Sequence, residues 1–347
     1  MKKVIVFALC VCLACMSLAA CGSGGNAGNG GGGSSGGGGS SGASADDRDG
    51  ARLSVVATIF APYDFARAIA GGEADISMLL PPGSETHSFE PTPQDIIKIQ
   101  NCDVFIYVGG ESDAWVKEVL GSMDTSGMKT VTLMDCVEAV EEETVPGMQD
   151  SGGDEADSGG GDEANGNEAE GPEYDEHVWT SPRNAKLIVQ KISSTLCEAD
   201  PVYADAYAAN TAAYLAQLDE LDAAFKAVTD GSKRKTLVFG DRFPFRYFAD
   251  AYGLTYFAAF PGCATETEAS AATVKFLIDK VNEEKIPVVF HIELSNEKMA
   301  DTICEATGAK TLLLHSCHNI SKADFEAGKT YAGLMAANVE ALKEALG

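Results

Sequence analysis

The sequence predicts an α/β protein of two lobes, each a mostly parallel sheet flanked by helices, the two joined by a long rigid linker helix. Two observations carry that expectation. Short apolar runs rich in β-branched residues alternate with stretches of helical periodicity, the pattern of parallel sheets with helices on both faces. The alternation occurs twice, on either side of a long helical segment. A chain of 347 residues has the length for two such domains.

The first residues fall outside this plan. Lys2 and Lys3 precede an apolar run, Val4 to Ala14, that is too short for a comfortable membrane span. Residues 1–21 therefore predict a targeting signal rather than part of the fold. Leu18-Ala19-Ala20-Cys21 resembles the bacterial lipobox, in which cleavage precedes a cysteine that is then lipidated, so Cys21 is the expected anchor. Residues 22–50 follow as a Gly/Ser-rich tether with a reach of about 25–30 Å. The expected location is extracytoplasmic, lipid-anchored to the cell membrane.

The first lobe spans residues 51–182. Its expected strands are Leu53–Ala57, Ile76–Leu80, Val104–Val108 and Thr130–Leu133, separated by helices over Pro62–Ala70, Gln94–Gln100 and Asp113–Leu120. Residues 141–176 break the pattern with many acidic residues and glycines and no basic residue. They predict a disordered acidic insert that attracts cations weakly. Residues 183–232 form the helical linker. A helix over Asn184–Glu198 is followed, from Pro201, by a longer one. In the latter, Tyr207, Tyr214, Leu218, Leu221, Phe225 and Val228 line one face. The second lobe, residues 233–347, repeats the plan. Its strands are Thr236–Phe239, Thr255–Ala259, Val288–His291 and Thr311–Leu314, with helices over Arg246–Ala251, Glu268–Asn282, Lys298–Thr307 and Tyr331–Leu346.

The formal charge of −27 argues against nucleic acid and against an electrostatic grip on anionic lipid. It favours cations. Of the five histidines, His87 lies in Pro82–Pro93, a loop stiffened by prolines just past the strand Ile76–Leu80. In open α/β sheets ligands bind beyond such strand ends. Asp241 follows Thr236–Phe239, and His315 follows Thr311–Leu314. His177 stands in the loop that enters the linker. A cleft between lobes can gather all four around one ion. Each has a plainer reading: a loop or strand-end histidine, or a turn-capping aspartate.

Several stretches together resemble the zinc- and manganese-binding solute-binding lipoproteins of bacterial ABC importers. They are Gly83-Ser84-Glu85-Thr86-His87 with Glu90-Pro91-Thr92-Pro93, Asp175-Glu176-His177-Val178-Trp179-Thr180-Ser181-Pro182, Asp200-Pro201 with Tyr207 and Asn210, and Tyr252-Gly253-Leu254. The resemblance implies two α/β lobes on a rigid helix, one metal at their interface, and delivery to a membrane permease. It implies a receptor, not an enzyme, expected to act as a monomer. His87 and His177 match the first two ligands of that family. The third position departs from its pattern, since Gly240-Asp241-Arg242 stands where a histidine or glutamate is usual, and Asp241 is the expected ligand there. His315 falls near the last ligand, with His318 close behind and Glu293 as the reserve carboxylate.

Three imidazoles and one carboxylate suit tetrahedral Zn²⁺, with Mn²⁺ as the alternative because it prefers more oxygen. Cys263 and Cys317 both fall near this site. A free thiolate there would be a strong soft ligand, but in an exported protein a disulfide between them is expected. A surface zinc hydrolase is disfavoured, because a fourth protein ligand leaves no open position for water and no HExxH motif occurs. A metal-buffering or adhesive lipoprotein is a further alternative.

Overall fold

The computed structural model describes residues 52–85, 89–149, 173–264 and 268–347. Cys21, the signal, the tether, His87 and the middle of the acidic insert lie outside the described residues.

The first lobe runs β1 (Leu53–Ala57), α1 (Phe60–Ala70), β2 (Ala74–Met78), α2 (Pro93–Gln100), β3 (Val104–Tyr107), α3 (Ala114–Gly121) and β4 (Lys129–Thr132). The connecting pair is α4 (Pro182–Ala199) and α5 (Ala204–Gly231). The second lobe runs β5 (Thr236–Phe243), α6 (Arg246–Tyr252), β6 (Thr255–Pro261), α7 (Ala271–Glu284), β7 (Val288–His291), α8 (Lys298–Thr307), β8 (Lys310–Leu313), α9 (Lys322–Glu326) and α10 (Tyr331–Leu346). The first sheet has the order β2-β1-β3-β4 and the second β6-β5-β7-β8, with every strand pairing parallel.

In both sheets the strand order reverses beside the first strand, so both sheets offer a crevice at their carboxyl rims. The inner strands β1, β3 and β7 are nearly continuous apolar runs because helices cover them on both faces, while the edge strands β2, β4 and β8 carry polar residues. The 28 residues of α5 extend for about 42 Å at 1.5 Å per residue. This helix packs on α1, α4, α6 and α10, and thus touches elements of both lobes. One apolar cluster runs from Leu53 and Val104 through Tyr207, Leu218 and Phe225 to Phe239, Phe290 and Leu342. The lobes and linker therefore share a core.

Two local features set the site. Thr92 and Asp95 cap α2 reciprocally, with Pro93 at its first turn, which fixes where the His87 loop ends. The second feature is in β5, which does not stop at Phe239 as the apolar run suggests. It continues to Phe243 after a register shift between Phe239 and Arg242. Gly240 makes this path possible: a Cβ there would stand 2.5 Å from the Ala300 Cα. Asp241 thus lies inside an irregular strand rather than beyond a regular one.

The acidic insert is ordered at both ends, which corrects the expectation of disorder from residue 141. Glu141 bridges to Tyr174, and Val145 and Met148 pack against the core. Gln149 donates its N–H to the Ala259 carbonyl on β6. The apolar residues among the acids, together with these backbone bonds, offset the cost of ordering.

Candidate metal site

A cavity of about 200 Å³ lies at the carboxyl rims of the two sheets. Gly83, Ser84 and Glu85 reach it from the loop after β2, and His177 from the segment leading into α4. Arg242 on β5, Gly262 after β6, Glu293 after β7 and Ser316, His318 and Asn319 after β8 form the facing wall.

His177 is the best-placed of the expected donors. It is fully buried, and its ring Nδ1 lies 3.1 Å from Asp175 Oδ1. The same oxygen accepts the His177 backbone N–H at 2.8 Å. Asp175 is itself held on both sides: its N–H donates to the Val140 carbonyl, and its carbonyl accepts from the Tyr247 hydroxyl at 2.7 Å. This fixes ring orientation and favours the proton on Nδ1, so Nε2 is the nitrogen offered to a metal. Burial opposes charge on the ring, but Asp175, Glu176 and Glu142 outweigh it and raise the His177 pKa above the ordinary value.

The other expected ligands fare differently. Among the residues lining the cavity, neither Asp241 nor His315 appears. Asp241 spends its carboxylate on the backbone, accepting the Arg242 N–H at 2.8 Å and the Ile292 N–H at 3.1 Å. It clamps the end of β7 to the bulge in β5, as a turn carboxylate does. His315 Nδ1 accepts the Cys317 N–H at 3.0 Å. A neutral ring in that role carries its proton on Nε2, and neither nitrogen is then open to a metal. Its backbone N–H and carbonyl are both bonded to the Asn338 side chain.

Glu293 does line the cavity, but its carboxylate organises the turn after β8. Oε2 accepts the Ser316 N–H at 2.7 Å, and Oε1 accepts the Ser316 hydroxyl at 2.6 Å and the His318 N–H at 3.1 Å. His318, and not His315, faces the site, with its ring edge-on to His177 at 5.2 Å between centroids. The same turn is pinned to the first lobe. The Asn319 amide donates to the Pro81 and Ser84 carbonyls, and the His318 carbonyl accepts the Phe60 N–H.

The expected Cys263–Cys317 disulfide is not formed: both are free thiols. Cys317 is fully buried, and Tyr331, Tyr214, Asp64 and Glu293 lie in electrostatic range of it. Cys263 lies instead among Glu176, Glu142 and Asp175, whose charges add to burial in pushing its thiol pKa up. Its sulfur, a ring nitrogen of His177 and a carboxylate oxygen of Glu176 lie within 4.8 Å of one another. Glu176 is buried and accepts from the Ser112 N–H at 3.1 Å and from the Ser112 hydroxyl. The sequence placed Cys263 near the site but did not group it with Glu176, because Cys263 arrives from the other lobe. Its one sequence signal was a cysteine directly after the Pro261-Gly262 break beyond a strand.

Paired parallel α/β lobes on a spanning helix, with a buried carboxylate-oriented histidine at the cleft, define a binding protein for a cation. The comparisons with known proteins agree. Residues 55–345 match the family ZnuA, described as the zinc-uptake complex component A, periplasmic, and the chain belongs to that family. It is a family of transport components rather than enzymes.

The chain is 30% identical over 306 residues to the high-affinity zinc uptake system protein ZnuA of Bacillus subtilis (strain 168), covering 87% of this chain and 90% of that protein. It is 30% identical over 293 residues to the zinc-binding lipoprotein AdcA of Streptococcus pneumoniae (strain ATCC BAA-255 / R6), covering 84% of this chain but only 56% of AdcA. The chain thus spans little more than half the length of that relative. The crystal structure of the Zn(II)-bound ZnuA-like domain of Streptococcus pneumoniae AdcA superposes with a TM-score of 0.68 at 28% identity, covering 85% of this chain and 99% of that domain.

Proposed function

We propose that this chain is an extracytoplasmic receptor that takes one Zn²⁺ into the cleft between its lobes and delivers it to the permease of an ABC importer, tethered to the membrane through a lipid on Cys21. The observation that carries this reading is His177: fully buried, lining the cavity, and oriented by Asp175 as zinc-binding imidazoles are. His87 is its proposed partner from the same lobe, and Glu85, two residues before it, lines the cavity. The second lobe completes the shell. Asp241 and His315 are not assigned to it, because their acceptor atoms are engaged by backbone N–H groups. Membership in a zinc-uptake family and the names of the relatives support zinc over manganese.

Metal analysis and chelator competition on the purified chain test the reading. One tightly held Zn²⁺ per chain is expected, and His177→Ala should lower affinity by more than the roughly 100-fold that loss of an orienting partner costs. A chain that competes for zinc no better than buffer, or that hydrolyses substrates in a zinc-dependent way, would show the proposal to be wrong. Delivery is tested separately. A strain lacking the chain should grow poorly under zinc limitation and recover with the wild type but not with His177→Ala.

A further inference from the structure

The cavity has a permanent cation in its wall. Arg242 lines it together with His177 and His318, and a guanidinium stays charged at every ordinary pH. We propose that the cavity takes its metal ion together with a small carboxylate-type anion, held on one side by the Arg242 guanidinium and on the other by the metal. The proposal rests on the receptor reading above and specifies what accompanies the ion.

The path of β5 puts the guanidinium there. At the register shift after Phe239, Asp241 turns inward to accept the Ile292 N–H, and its neighbour Arg242 faces the cavity. Bulges re-aim side chains in this way. The Arg242 backbone N–H is itself held by the Asp241 carboxylate at 2.8 Å. Gly262 brings this part of β5 close to the imidazole: a Cβ on it would stand 3.0 Å from both the Phe243 carbonyl oxygen and His177 Cε1.

The guanidinium is only partly used. Its bonds to Glu85 at 2.9 Å and to the Ala264 carbonyl at 3.2 Å both come from Nη1. Nε and Nη2 donate to no described residue, and a guanidinium offers five N–H donors in a planar fork. Such a fork matches the two oxygens of a carboxylate or carbonate. The Glu85 pair shows this arginine already taking one carboxylate oxygen.

Charge and space agree. The described carboxylates lining the cavity are Glu85 and Glu293. Glu85 is half exposed and paired, and Glu293 accepts three bonds from the turn after β8. A bare dication at His177 would therefore meet a second positive charge with no free carboxylate of that lining to offset it. An anion shared between the two removes that repulsion. The volume of about 200 Å³ exceeds the needs of one ion, since a single water requires only about 10–15 Å³ of such space. Oxygen from the anion also suits Zn²⁺, which accepts nitrogen and oxygen donors together.

Labelled anions test this on the full chain. The zinc-loaded protein is equilibrated with ¹⁴C-citrate in one arm and ¹⁴C-bicarbonate in the other, then filtered rapidly. One equivalent of anion per chain should be retained, and only when zinc is present. Retention of citrate identifies a chelated metal as the cargo, and retention of bicarbonate a bare ion captured with a free anion. At free zinc fixed by a metal buffer, that anion should raise zinc affinity by about tenfold or more. Zinc should raise the anion's affinity by the same factor. These measurements need no variant. Arg242→Gln, checked by its melting, should retain no anion and bind zinc equally with and without it. One tightly bound zinc with neither anion retained, or an anion held equally by the zinc-free chain or by Arg242→Gln, overturns the proposal and leaves the receptor reading standing. A chain that binds no zinc in either arm or in buffer alone overturns both.

Discussion

The two lobes share one strand order and differ in how their strands end at the cleft. In the first lobe the exits are regular: the Leu79 and Leu80 N–H groups bond to the Ala57 and Thr58 carbonyls, and the Thr58 N–H to Ile106. Among the described residues, only the exit of β3 spends a side chain on the backbone, where Asp113 Oδ2 accepts the Val108 N–H at 2.6 Å. In the second lobe, β5 is 8 residues long where β1 is 5, and the added length is irregular. Asp241 and Glu293 are then consumed in tying the strand ends of that one rim to each other. The same topology therefore puts both rims at the cleft, while the local path decides which polar atoms remain available to an ion. A carboxylate just past a buried strand is a ligand only if its oxygens are not already backbone acceptors.

The most sensitive test of this difference is the carboxylate behind His177. Asp175→Asn keeps an acceptor for the ring but removes the charge. Zinc affinity at neutral pH should fall by about 10–100-fold, as for other partners of metal-bound histidines. The pH profile carries the sign. His177 must lose its proton to bind zinc. Its raised pKa means that protons compete from above the ordinary value of about 6.5, so affinity should fall as pH drops through that raised value. Without the Asp175 charge, burial pulls the pKa down, and the acid limb should move to lower pH. An unmoved limb in Asp175→Asn titrations would separate His177 from the metal.

Asp241 should behave in the opposite way. Asp241→Ala strands the buried Ile292 N–H and loosens the bulge. The expected cost is about 1–3 kcal/mol of stability. For a chain of this size each kcal/mol lowers Tm by roughly 2–4 °C or less. Zinc affinity, measured below the transition, should be nearly unchanged. A variant that melts normally but loses zinc would return Asp241 to the ligand set and erase the distinction between the rims.

Much of this architecture was legible in the sequence, because buried parallel strands announce themselves as β-branched runs. Leu53–Ala57 and Val288–His291 appear with the expected bounds, and the other strands differ mainly at their ends. Three things were not legible, each for a physical reason. The continuation of β5 depends on a glycine lying against Ala300, a tertiary contact without periodicity. The choice between His315 and His318 depends on which ring nitrogen accepts a backbone N–H, and neighbouring positions on one turn cannot show that. The order at the ends of the acidic insert rests on a few apolar residues and on bonds to the distant β6, which local composition hides.

The smallest expected effect comes from the one described ion pair that spans the cavity mouth between the two rims. Arg242 Nη1 lies 2.9 Å from Glu85 Oε1 and also donates to the Ala264 carbonyl at 3.2 Å. The arginine side chain is 12% exposed and the glutamate 46%, so solvent screens one end of the pair. Such pairs contribute about 0.2–1 kcal/mol. Glu85→Gln should therefore change zinc affinity by less than about fivefold. Because the pair joins lobe to lobe, the change should appear mainly as faster zinc release, and added salt should reproduce part of it in the wild type by screening the same charges. Stopped-flow chelation of zinc from both proteins, at low and high ionic strength, measures this. If Glu85→Gln instead costs as much as Asp175→Asn, the pair belongs with the groups that hold the ion. The first lobe's loop would then bind through its charge as well as through His87.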